Sequence, residues 1–258
     1  VDIQFGFSWA IGEQWAFVGA HQDGSVDRFG GSVYVYRRGP DDRLEFFQKI
    51  DTPEPGSSDR FGIGLDFDGR TLAAGAWWAT SPIELQGAVY TYELDGDTWT
   101  LRQKILHGEP EEEDAFGLNL MVSGDHLVAQ AAGRARPGSR ESVFHFTRGA
   151  DGLWRQEREL VPTPPEWMQK YGNTMATDGR YAVIGASADQ DGAAYLFDLA
   201  CGACAVDLDA DGALTVFDFL AFLNLFQDGD AQADFDGDGA LTIFDFLAFQ
   251  TAFDAGCE

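Results

Sequence analysis

Short runs of alternating apolar and polar residues fill the first 199 residues, and glycine-containing turns separate them. Four blocks of sixteen residues open with an aromatic residue followed by glycine, at intervals of 56, 55 and 55 residues. The aromatic residues are Phe5, Phe61, Phe116 and Tyr171. Each block holds two apolar runs around a central turn, which predicts a pair of antiparallel strands. The turns are at Gly12, Gly69, Gly124 and Gly179. Because the aromatic residue recurs at one position, we predict that all four belong to the core.

Two further strands follow each block at nearly constant spacing. The third strand is predicted at 31–36, 87–92, 142–146 and 192–197. The fourth is predicted at 44–50, 99–105 and 154–160, and the last repeat stops before it. Four strands in a unit of about 55 residues describe one blade of a β-propeller. We therefore predict a mainly β fold, with a partial propeller of about 3.5 four-stranded blades over residues 1–199.

The repeat pattern, Phe-Gly followed by Gly-Ala and then Gly-x-Val-Tyr-x-Tyr, resembles the FG-GAP repeat of integrin-α-type propellers in its bacterial extracellular form. The resemblance covers residues 5–199 and implies a closed ring of about seven blades, since closure removes exposed sheet edges. On this basis we expect about three N-terminal repeats to be missing, with the last blade completed by a strand from them. A closed four-bladed ring is the alternative. Because the chain begins with Val1 rather than Met, we expect a fragment or a processed product.

Residues 200–258 carry a different, acidic pattern that occurs twice, 27 residues apart. Each copy has oxygen-bearing side chains at loop positions 1, 3, 5, 9 and 12, and a glycine at position 6 lets position 7 offer its carbonyl. Calcium takes about six to eight oxygens, and this is the spacing of a calcium loop, so we predict two calcium ions. The predicted ligands in the first loop are Asp207, Asp209, Asp211, Ala213, Thr215 and Asp218. Those in the second loop are Asp234, Asp236, Asp238, Ala240, Thr242 and Asp245.

A helix is predicted only after each loop, at 217–226 and 244–253, because the segment before the first loop is short and glycine-rich. Duplicated loop–helix units with Asp at position 12 resemble the dockerin family, so residues 200–258 are expected to form a small α-helical dockerin-like domain. The resemblance implies docking to a protein partner, usually a cohesin module. Cellulosomal dockerins often carry polar residues at positions 10 and 11, whereas this chain has Val216-Phe217 and Ile243-Phe244. Both helices are apolar nearly all round, which predicts a docking face on them, with the first helix the more apolar.

The composition adds a strong negative charge and three cysteines. The net charge is −26, which repels nucleic acid and anionic membranes and attracts divalent cations. No apolar run is long enough to span a membrane. Cys201, Cys204 and Cys257 flank the acidic loops, and a disulfide that closes this small domain is expected between Cys204 and Cys257 or between Cys201 and Cys257. Calcium loops and a disulfide favour an extracellular, secreted or cell-surface location.

Residues 1–199 offer few candidate sites. The loops that carry calcium in some integrin-type blades keep two carboxylates in only two places, Asp23 with Asp27 and Asp189 with Asp191. Trp77-Trp78 either stacks on a glycan or protein ligand, or covers the blade edge. The four histidines fall at four different repeat positions, and no nucleophile, zinc or phosphate-loop motif occurs, so we predict no catalytic residues, no organic cofactor and no enzyme activity.

The sequence therefore predicts a secreted, non-enzymatic protein with two parts. A calcium-binding, dockerin-like module docks to a cohesin-like or cell-surface protein, and a non-catalytic propeller presents a surface for a glycan or protein ligand. One alternative is a non-catalytic fragment of an extracellular polysaccharide-degrading protein. Another is a cell-surface adhesion or matrix protein whose tail self-associates.

Overall fold

The computed structural model describes residues 3–24, 29–54, 58–80, 83, 85–108, 112–133, 141–162, 170–187, 192–199, 206–208 and 214–255. Its internal contacts divide the chain into two compact units, Val1–Leu196 and Phe197–Glu258. The first unit is built of strands, and the second contains the helices. The division is within a few residues of the boundary that the change from apolar repeats to acidic loops predicts.

The strands form four antiparallel sheets, each with its strands in chain order. Sheet 1 contains β1 (Trp9–Ile11), β2 (Trp15–Ala20), β3 (Ser32–Arg38) and β4 (Leu44–Asp51). Sheet 2 contains β5 (Phe61–Phe67), β6 (Thr71–Ala76), β7 (Ala88–Asp95) and β8 (Thr98–Ile105). Sheet 3 contains β9 (Phe116–Ser123), β10 (His126–Ala131), β11 (Ser142–Arg148) and β12 (Trp154–Glu159). Sheet 4 contains β13 (Tyr171–Thr177), β14 (Tyr181–Ala186) and β15 (Ala193–Asp198).

Consecutive sheets pack against each other through their first strands, as blades do in a propeller. The first strands β1, β5, β9 and β13 are neighbours in that order. The apolar faces of sheets 1 and 2 share one core cluster, and those of sheets 2 and 3 share another. The prediction of a mainly β, propeller-like fold with three four-stranded sheets and one three-stranded sheet is confirmed.

The close approach of neighbouring sheets explains the Phe-Gly and Gly-Ala pairs of the repeat. Gly31 and Phe61 form a parallel bridge between sheets 1 and 2, and Gly87 and Phe116 form the same bridge between sheets 2 and 3. A Cβ atom on Gly75 would overlap the carbonyl oxygen of Gly117, so strand β6 can lie against sheet 3 only with glycine at this position.

Paired glutamine hydrogen bonds join the outer strands of the same sheets. The Gln48 amide donates to the Trp99 carbonyl at 3.0 Å and accepts from the Trp99 N–H at 2.8 Å. Gln103 makes the same two bonds with Trp154, at 2.9 and 2.7 Å. Both glutamines belong to a recurring Gln-Lys-Ile sequence, which is therefore a junction motif.

The third junction uses a different side chain. Gln130 stands where β2 and β6 have glycine, and its amide donates to the Tyr171 carbonyl at 2.7 Å and to the Asn173 side chain at 3.0 Å. The Tyr171 hydroxyl donates to the Leu160 carbonyl at 2.8 Å. Sheet 4 is therefore held by side-chain hydrogen bonds where the earlier junctions rely on glycine contact.

The prediction that Phe5 belongs to the core is wrong. Phe61, Phe116 and Tyr171 are fully buried, but Phe5 is 50% exposed, and β1 has only three residues. Phe61 and Phe116 belong to core clusters that include the preceding sheet, and they also bridge to it. Tyr171 is hydrogen-bonded to Gln130 and to the Leu160 carbonyl. No sheet precedes sheet 1 within the described ranges, so Phe5 lacks both the packing surface and the bridge.

The second unit contains α1 (Val216–Asp228), a short 3₁₀ turn (Ala231–Ala233) and α2 (Ile243–Ala255). Both helices extend slightly beyond the predicted bounds. The Thr215 side chain caps α1, and Gly229 ends it in the left-handed conformation at φ 74°. Phe222 and Phe249 stack at 4.3 Å between ring centroids and are both fully buried, so they form the centre of the core. Neither these helices nor any other in the described residues has the length and apolarity that a bilayer crossing requires.

Candidate metal centre

Three carboxylates converge in the second acidic loop. Asp234, Asp236 and Asp245 each offer an oxygen, and these oxygens lie within 4.8 Å of one another. Asp234 and Asp236 occupy loop positions 1 and 3, and Asp245 occupies position 12 in the first turn of α2. The loop therefore turns back on the helix that follows it, as the ligand spacing predicts.

Backbone N–H groups fix all three carboxylates, and Asp236 accepts from the Asp238 N–H at 3.1 Å. Asp245 is buried and accepts from the N–H of Thr242 at 2.6 Å and from that of Asp236 at 3.3 Å. Asp234 accepts from the Gly239 N–H at 2.9 Å through its Oδ2 atom. Its Oδ1 atom is buried and has no hydrogen-bond partner among the described residues. An unpaired, desolvated carboxylate oxygen costs free energy, and a cation would remove that cost.

The electrostatics of the loop follow from this arrangement. Backbone N–H donation, first from Thr242 and also from Asp236 and Phe235, lowers the pKa of Asp245. For Asp236, the N–H of Asp238 acts to lower the pKa, but burial and the charges of Asp238, Asp245 and Asp234 together outweigh it, and the pKa is raised. The three-carboxylate group therefore carries mutual repulsion that a bound cation would relieve.

The other predicted residues of this loop lie outside the three-carboxylate group. The Asp238 carboxylate accepts from the Ala240 N–H at 2.8 Å, which shapes the turn. The Thr242 hydroxyl accepts from the Phe244 N–H at 3.1 Å and caps α2. Gly239 has a φ of 83°, which glycine adopts without strain, as position 6 of the pattern requires.

The first loop shows the same anchoring in its described part. Asp218 is buried and accepts from the N–H of Leu208 and from that of Thr215, both at 2.8 Å. The Thr215 hydroxyl accepts from the Phe217 N–H at 3.1 Å. Asp207 is described, but Asp209, Asp211 and Ala213 lie outside the described residues. Asp218 and Thr215 thus repeat the arrangement of Asp245 and Thr242.

The residues of the second loop fit a hard divalent cation. The three donors that converge are carboxylate oxygens, and one buried oxygen lacks a hydrogen-bond partner among the described residues. Soft metals prefer thiolate or imidazole, and no histidine occurs in residues 201–258. The three cysteines lie outside the described residues, so the disulfide stays a prediction.

Apolar side chains are exposed at the start of both helices. Phe217 and Phe244 are each 63% exposed, and their neighbours are exposed as well. We call this set the helix surface, and it consists of Val216, Phe217, Leu220, Ile243, Phe244 and Leu247. The two halves are equivalent by the repeat. Leu223 extends the first half, where α2 has Gln250, in agreement with the prediction that the first helix is the more apolar.

Two candidate sites in the first unit have structural roles. The buried Asp23 carboxylate accepts from the Tyr34 hydroxyl at 2.8 Å and pairs with the Lys49 ammonium at 3.0 Å, which leaves it poorly placed to bind calcium. Asp27, Asp189 and Asp191 lie outside the described residues. Trp77 is buried in a cluster beneath Trp78, and the two rings stack at 5.3 Å. Trp77 is therefore a packing residue, and a ligand role for the pair stays a prediction.

The sequence reasoning missed an exposed apolar surface on sheet 1. Phe7, Trp9 and Ile11 are 55% to 69% exposed along the first strand and the segment before it. The sequence could have indicated this exposure, because no repeat precedes the first aromatic-glycine pair in this sequence and the pair therefore has no repeat to pack on.

Comparison with known proteins supports the repeat. A family model described as FG-GAP repeat matches residues 154–197, which begin at β12 and include almost all of sheet 4. No curated protein matches the chain. Among solved structures, the GH32 β-fructofuranosidase of Bombyx mori, a mutant in complex with sucrose, matches at 11% identity and a TM-score of 0.42. That match covers 75% of this chain and 45% of the enzyme, so the chain spans less than half of the enzyme's length.

Proposed function

We propose that this chain is a secreted, non-enzymatic binding protein whose C-terminal unit is a calcium-stabilised, dockerin-like docking module. The propeller-like unit presents a surface for a glycan or protein ligand. FG-GAP repeats are typical of extracellular proteins, and residues 154–197 match that family model. The observation that carries the proposal is the group of Asp234, Asp236 and Asp245 with its unpaired buried oxygen.

In this proposal the second ion is held by Asp234, Asp236 and Asp245, with Asp238, Thr242 and the Ala240 carbonyl completing the oxygen set. The first ion is held by the matching residues Asp207, Asp209, Asp211, Ala213, Thr215 and Asp218. Calcium supplies positive charge that offsets the repulsion among these carboxylates. Asp218 and Asp245 connect each loop to the first turn of its helix, so metal binding and helix placement are coupled.

The docking surface in this proposal is the helix surface. Its two halves begin at loop position 10, at Val216 and Ile243, two residues before the last predicted ligand, so a bound ion would hold each half in place. An exposed aromatic and aliphatic patch of this kind suits a partner with an apolar groove. The partner would be a cohesin-like or cell-surface protein that recognises apolar rather than polar residues at loop positions 10 and 11.

A non-catalytic role is part of this proposal. His145 is buried, and its Nε2 atom lies 3.0 Å from the Nδ1 atom of His126. Burial lowers the pKa of His145 to about 3, so the ring is neutral at neutral pH. His107 stacks on Phe144 at 4.5 Å and lies 3.1 Å from Asp114. Both are accounted for by packing and by local pairing.

Calcium titration of the 258-residue chain by calorimetry tests the metal assignment. We expect two ions to bind, and one to be lost in each of the Asp234→Asn and Asp218→Asn variants. Asp254→Asn makes the same change of charge on the exposed end of α2 and should leave both ions bound. No heat of binding at millimolar calcium, or equal loss in the Asp254→Asn control, would refute the assignment.

Partner capture with a double variant tests the docking surface. Immobilised chain is exposed to purified cohesin modules and to an extract of cell-surface proteins, in calcium and in chelator. We expect retention only in calcium, and its loss in a variant that combines Phe217→Asp with Phe244→Asp but still binds two ions. Leu94→Asp, on the exposed part of β7, is the control that should retain the partner. Retention that persists in chelator or in the double variant would contradict the proposal.

A further inference from the structure

Arg60, in the segment between β4 and β5, is half-buried and pairs with no carboxylate of the described residues. Its Nε atom is buried and has no hydrogen-bond partner among them. The guanidinium group lies 4.1 Å from the centre of the Trp78 ring and 5.6 Å from that of the Phe29 ring, and burial lowers the pKa of Arg60. Other arginines of this unit do pair with carboxylates, namely Arg38, Arg43, Arg70, Arg102, Arg148 and Arg155. Arg60 is therefore a partly desolvated cation that aromatic rings hold, with no opposite charge from the described residues.

A second polar group without a hydrogen bond lies beside Arg60. His21, directly after β2, is 3% exposed, and its Nδ1 atom has no hydrogen-bond partner among the described residues. Burial, and then the charge of Arg60, lower the pKa of His21 to about 4, so the two side chains are close enough to interact and the ring is neutral at neutral pH. A neutral imidazole donates one hydrogen bond, and a guanidinium group donates several. A negatively charged acceptor is the partner that suits both groups.

The repeats show that the fold does not require this arrangement. The residue before each aromatic-glycine pair has the left-handed conformation, with φ between 51° and 55°. These four residues are Gln4, Arg60, Ala115 and Lys170. The conformation therefore belongs to the fold, whereas the side chain varies. The position of Trp78 is also variable, because Gln22 and Gly133 occupy it in sheets 1 and 3. A guanidinium group on an indole ring thus occurs at the junction of sheets 1 and 2 and is absent at the Gln4 and Ala115 positions.

The surroundings of Arg60 favour an acidic protein side chain over an acidic glycan. The Trp78 ring is already in contact with Arg60 and with Trp77, whose ring centroid lies 5.3 Å away, so little of it is left for a sugar to stack on. The net charge of −26 repels a polysaccharide that carries a negative charge on each sugar. A protein, in contrast, can present a single carboxylate within a neutral surface. Arginine and tryptophan are also enriched among the residues that dominate binding at protein interfaces.

We propose that Arg60 is the anchor of a protein-binding site at the junction of sheets 1 and 2, where its guanidinium group receives an Asp or Glu carboxylate of the partner. We call the set of His21, Phe29, Arg60 and Trp78 the arginine site. Phe29 and Trp78 hold the guanidinium plane in place before binding, which reduces the entropy that binding costs. This inference rests on the proposed ligand surface of the propeller-like unit and names its chemistry, and it uses no residue of the calcium loops or of the helix surface.

Nuclear magnetic resonance titration of the 258-residue chain tests the arginine site, with an end-blocked Ala-Asp-Ala peptide as the probe and Ala-Asn-Ala as its uncharged control. We expect the Asp peptide, at millimolar concentration, to shift the Arg60 Nε–H, Trp78 indole and His21 ring signals, in calcium and in chelator alike. The Asn peptide should leave all three signals in place. Equal shifts with the Asn peptide would overturn the proposal, and so would the absence of shifts at tens of millimolar Asp peptide. Tighter binding of tri-galacturonate than of the Asp peptide would assign the site to an acidic glycan and would also overturn it.

Substitutions copied from the other repeats separate a binding role from a packing role. Arg60→Gln copies Gln4 and Arg60→Lys copies Lys170, both of which have the same left-handed conformation, so both variants should fold. We expect Arg60→Gln to lose the Trp78 and His21 shifts, and Arg60→Lys to bind about tenfold more weakly, because an ammonium group cannot form two parallel bonds to a carboxylate. Arg43→Gln removes the same charge from an exposed turn and should bind as the wild type does. Shifts that persist in Arg60→Gln, or an equal loss in Arg43→Gln, would overturn the proposal. Both Arg60 variants should still bind two calcium ions, so a failure of this site is distinguishable from a failure of the proposed docking module.

Discussion

At the residue scale, glycine decides how closely the sheets approach. Gly19 and Gly75 precede the alanine of the Gly-Ala pairs, and a Cβ on either would overlap the carbonyl oxygen of the next aromatic-glycine pair. The sequence shows that these glycines recur, but it does not show what they touch. Gly108 is a useful contrast, because a Cβ there would meet only the Gln156 side chain at ordinary distances of 3.5 Å or more.

Gly75→Ala should destabilise the propeller-like unit through that overlap. We expect a loss of about 2 to 3 kcal/mol in the free energy of unfolding, because a backbone carbonyl cannot move aside as a flexible side chain can. Urea unfolding, followed by tryptophan fluorescence, measures it. Gly108→Ala should leave the midpoint nearly unchanged. Equal midpoints for the two variants would show that the sheets are not in close contact at Gly75.

A buried histidine should make the same unit sensitive to acid. Burial first, and then the charges of His126 and Arg158, lower the pKa of His145 to about 3. The unfolded chain takes up this proton near pH 6.5, so stability is complete above that pH and is lost progressively as the pH falls toward 3. His145→Thr, which copies the residue at the equivalent position 91, removes this effect.

The measurement is urea unfolding at pH 7.5 and at pH 5. The wild type should lose on the order of 2 kcal/mol more than His145→Thr over this interval. Both proteins also keep a similar loss from His21. Burial, and then the charge of Arg60, lower the pKa of His21 to about 4, which is below this pH interval as well. Parallel losses in the two proteins would mean that His145 is already protonated in the folded chain.

At the element scale, the alternation of apolar residues predicted the strands well. Strands β5 to β15 begin and end within about three residues of the predicted runs, because period-two alternation and turn glycines are local signals. β1 is the exception, because it has only three residues although the predicted run starts at Phe5. The first strands of the other sheets pack on a preceding sheet, and the described residues include no such sheet before β1. The Gln48 and Gln103 bonds between sheets were not predicted, because hydrogen bonding over 51 residues leaves no local pattern.

Gln103→Ala should weaken the junction of sheets 2 and 3. The substitution leaves both the N–H and the carbonyl of Trp154 without their partner, and we expect a loss of about 1 to 3 kcal/mol. Thermal unfolding is the measurement. Arg155→Ala, on β12, removes an exposed ion pair with Asp151 in the preceding turn and should have no measurable effect. If both variants unfold at the wild-type midpoint temperature, the two Gln103 hydrogen bonds do not stabilise the junction, and water satisfies the Trp154 backbone instead.

At the scale of the whole molecule, the chain combines a repeat array and a small acidic unit. The division after residue 196 lies close to the change in composition. The ligand spacing also predicted which residues of the second loop come together, although it did not distinguish Asp234, Asp236 and Asp245 from Asp238 and Thr242. The difference between these two groups of residues depends on the backbone. The Ala240 N–H occupies an oxygen of Asp238, whereas Asp234 Oδ1 has no hydrogen-bond partner among the described residues.

The central claim is that calcium stabilises the C-terminal unit and through it the helix surface. Amide hydrogen exchange of the full chain, measured by mass spectrometry in calcium and in chelator, tests it most directly. We predict that calcium slows exchange across residues 206–255, most strongly at the N–H groups that donate to Asp218 and Asp245, and leaves residues 3–196 unchanged. Identical exchange of residues 206–255 in the two conditions would contradict the claim.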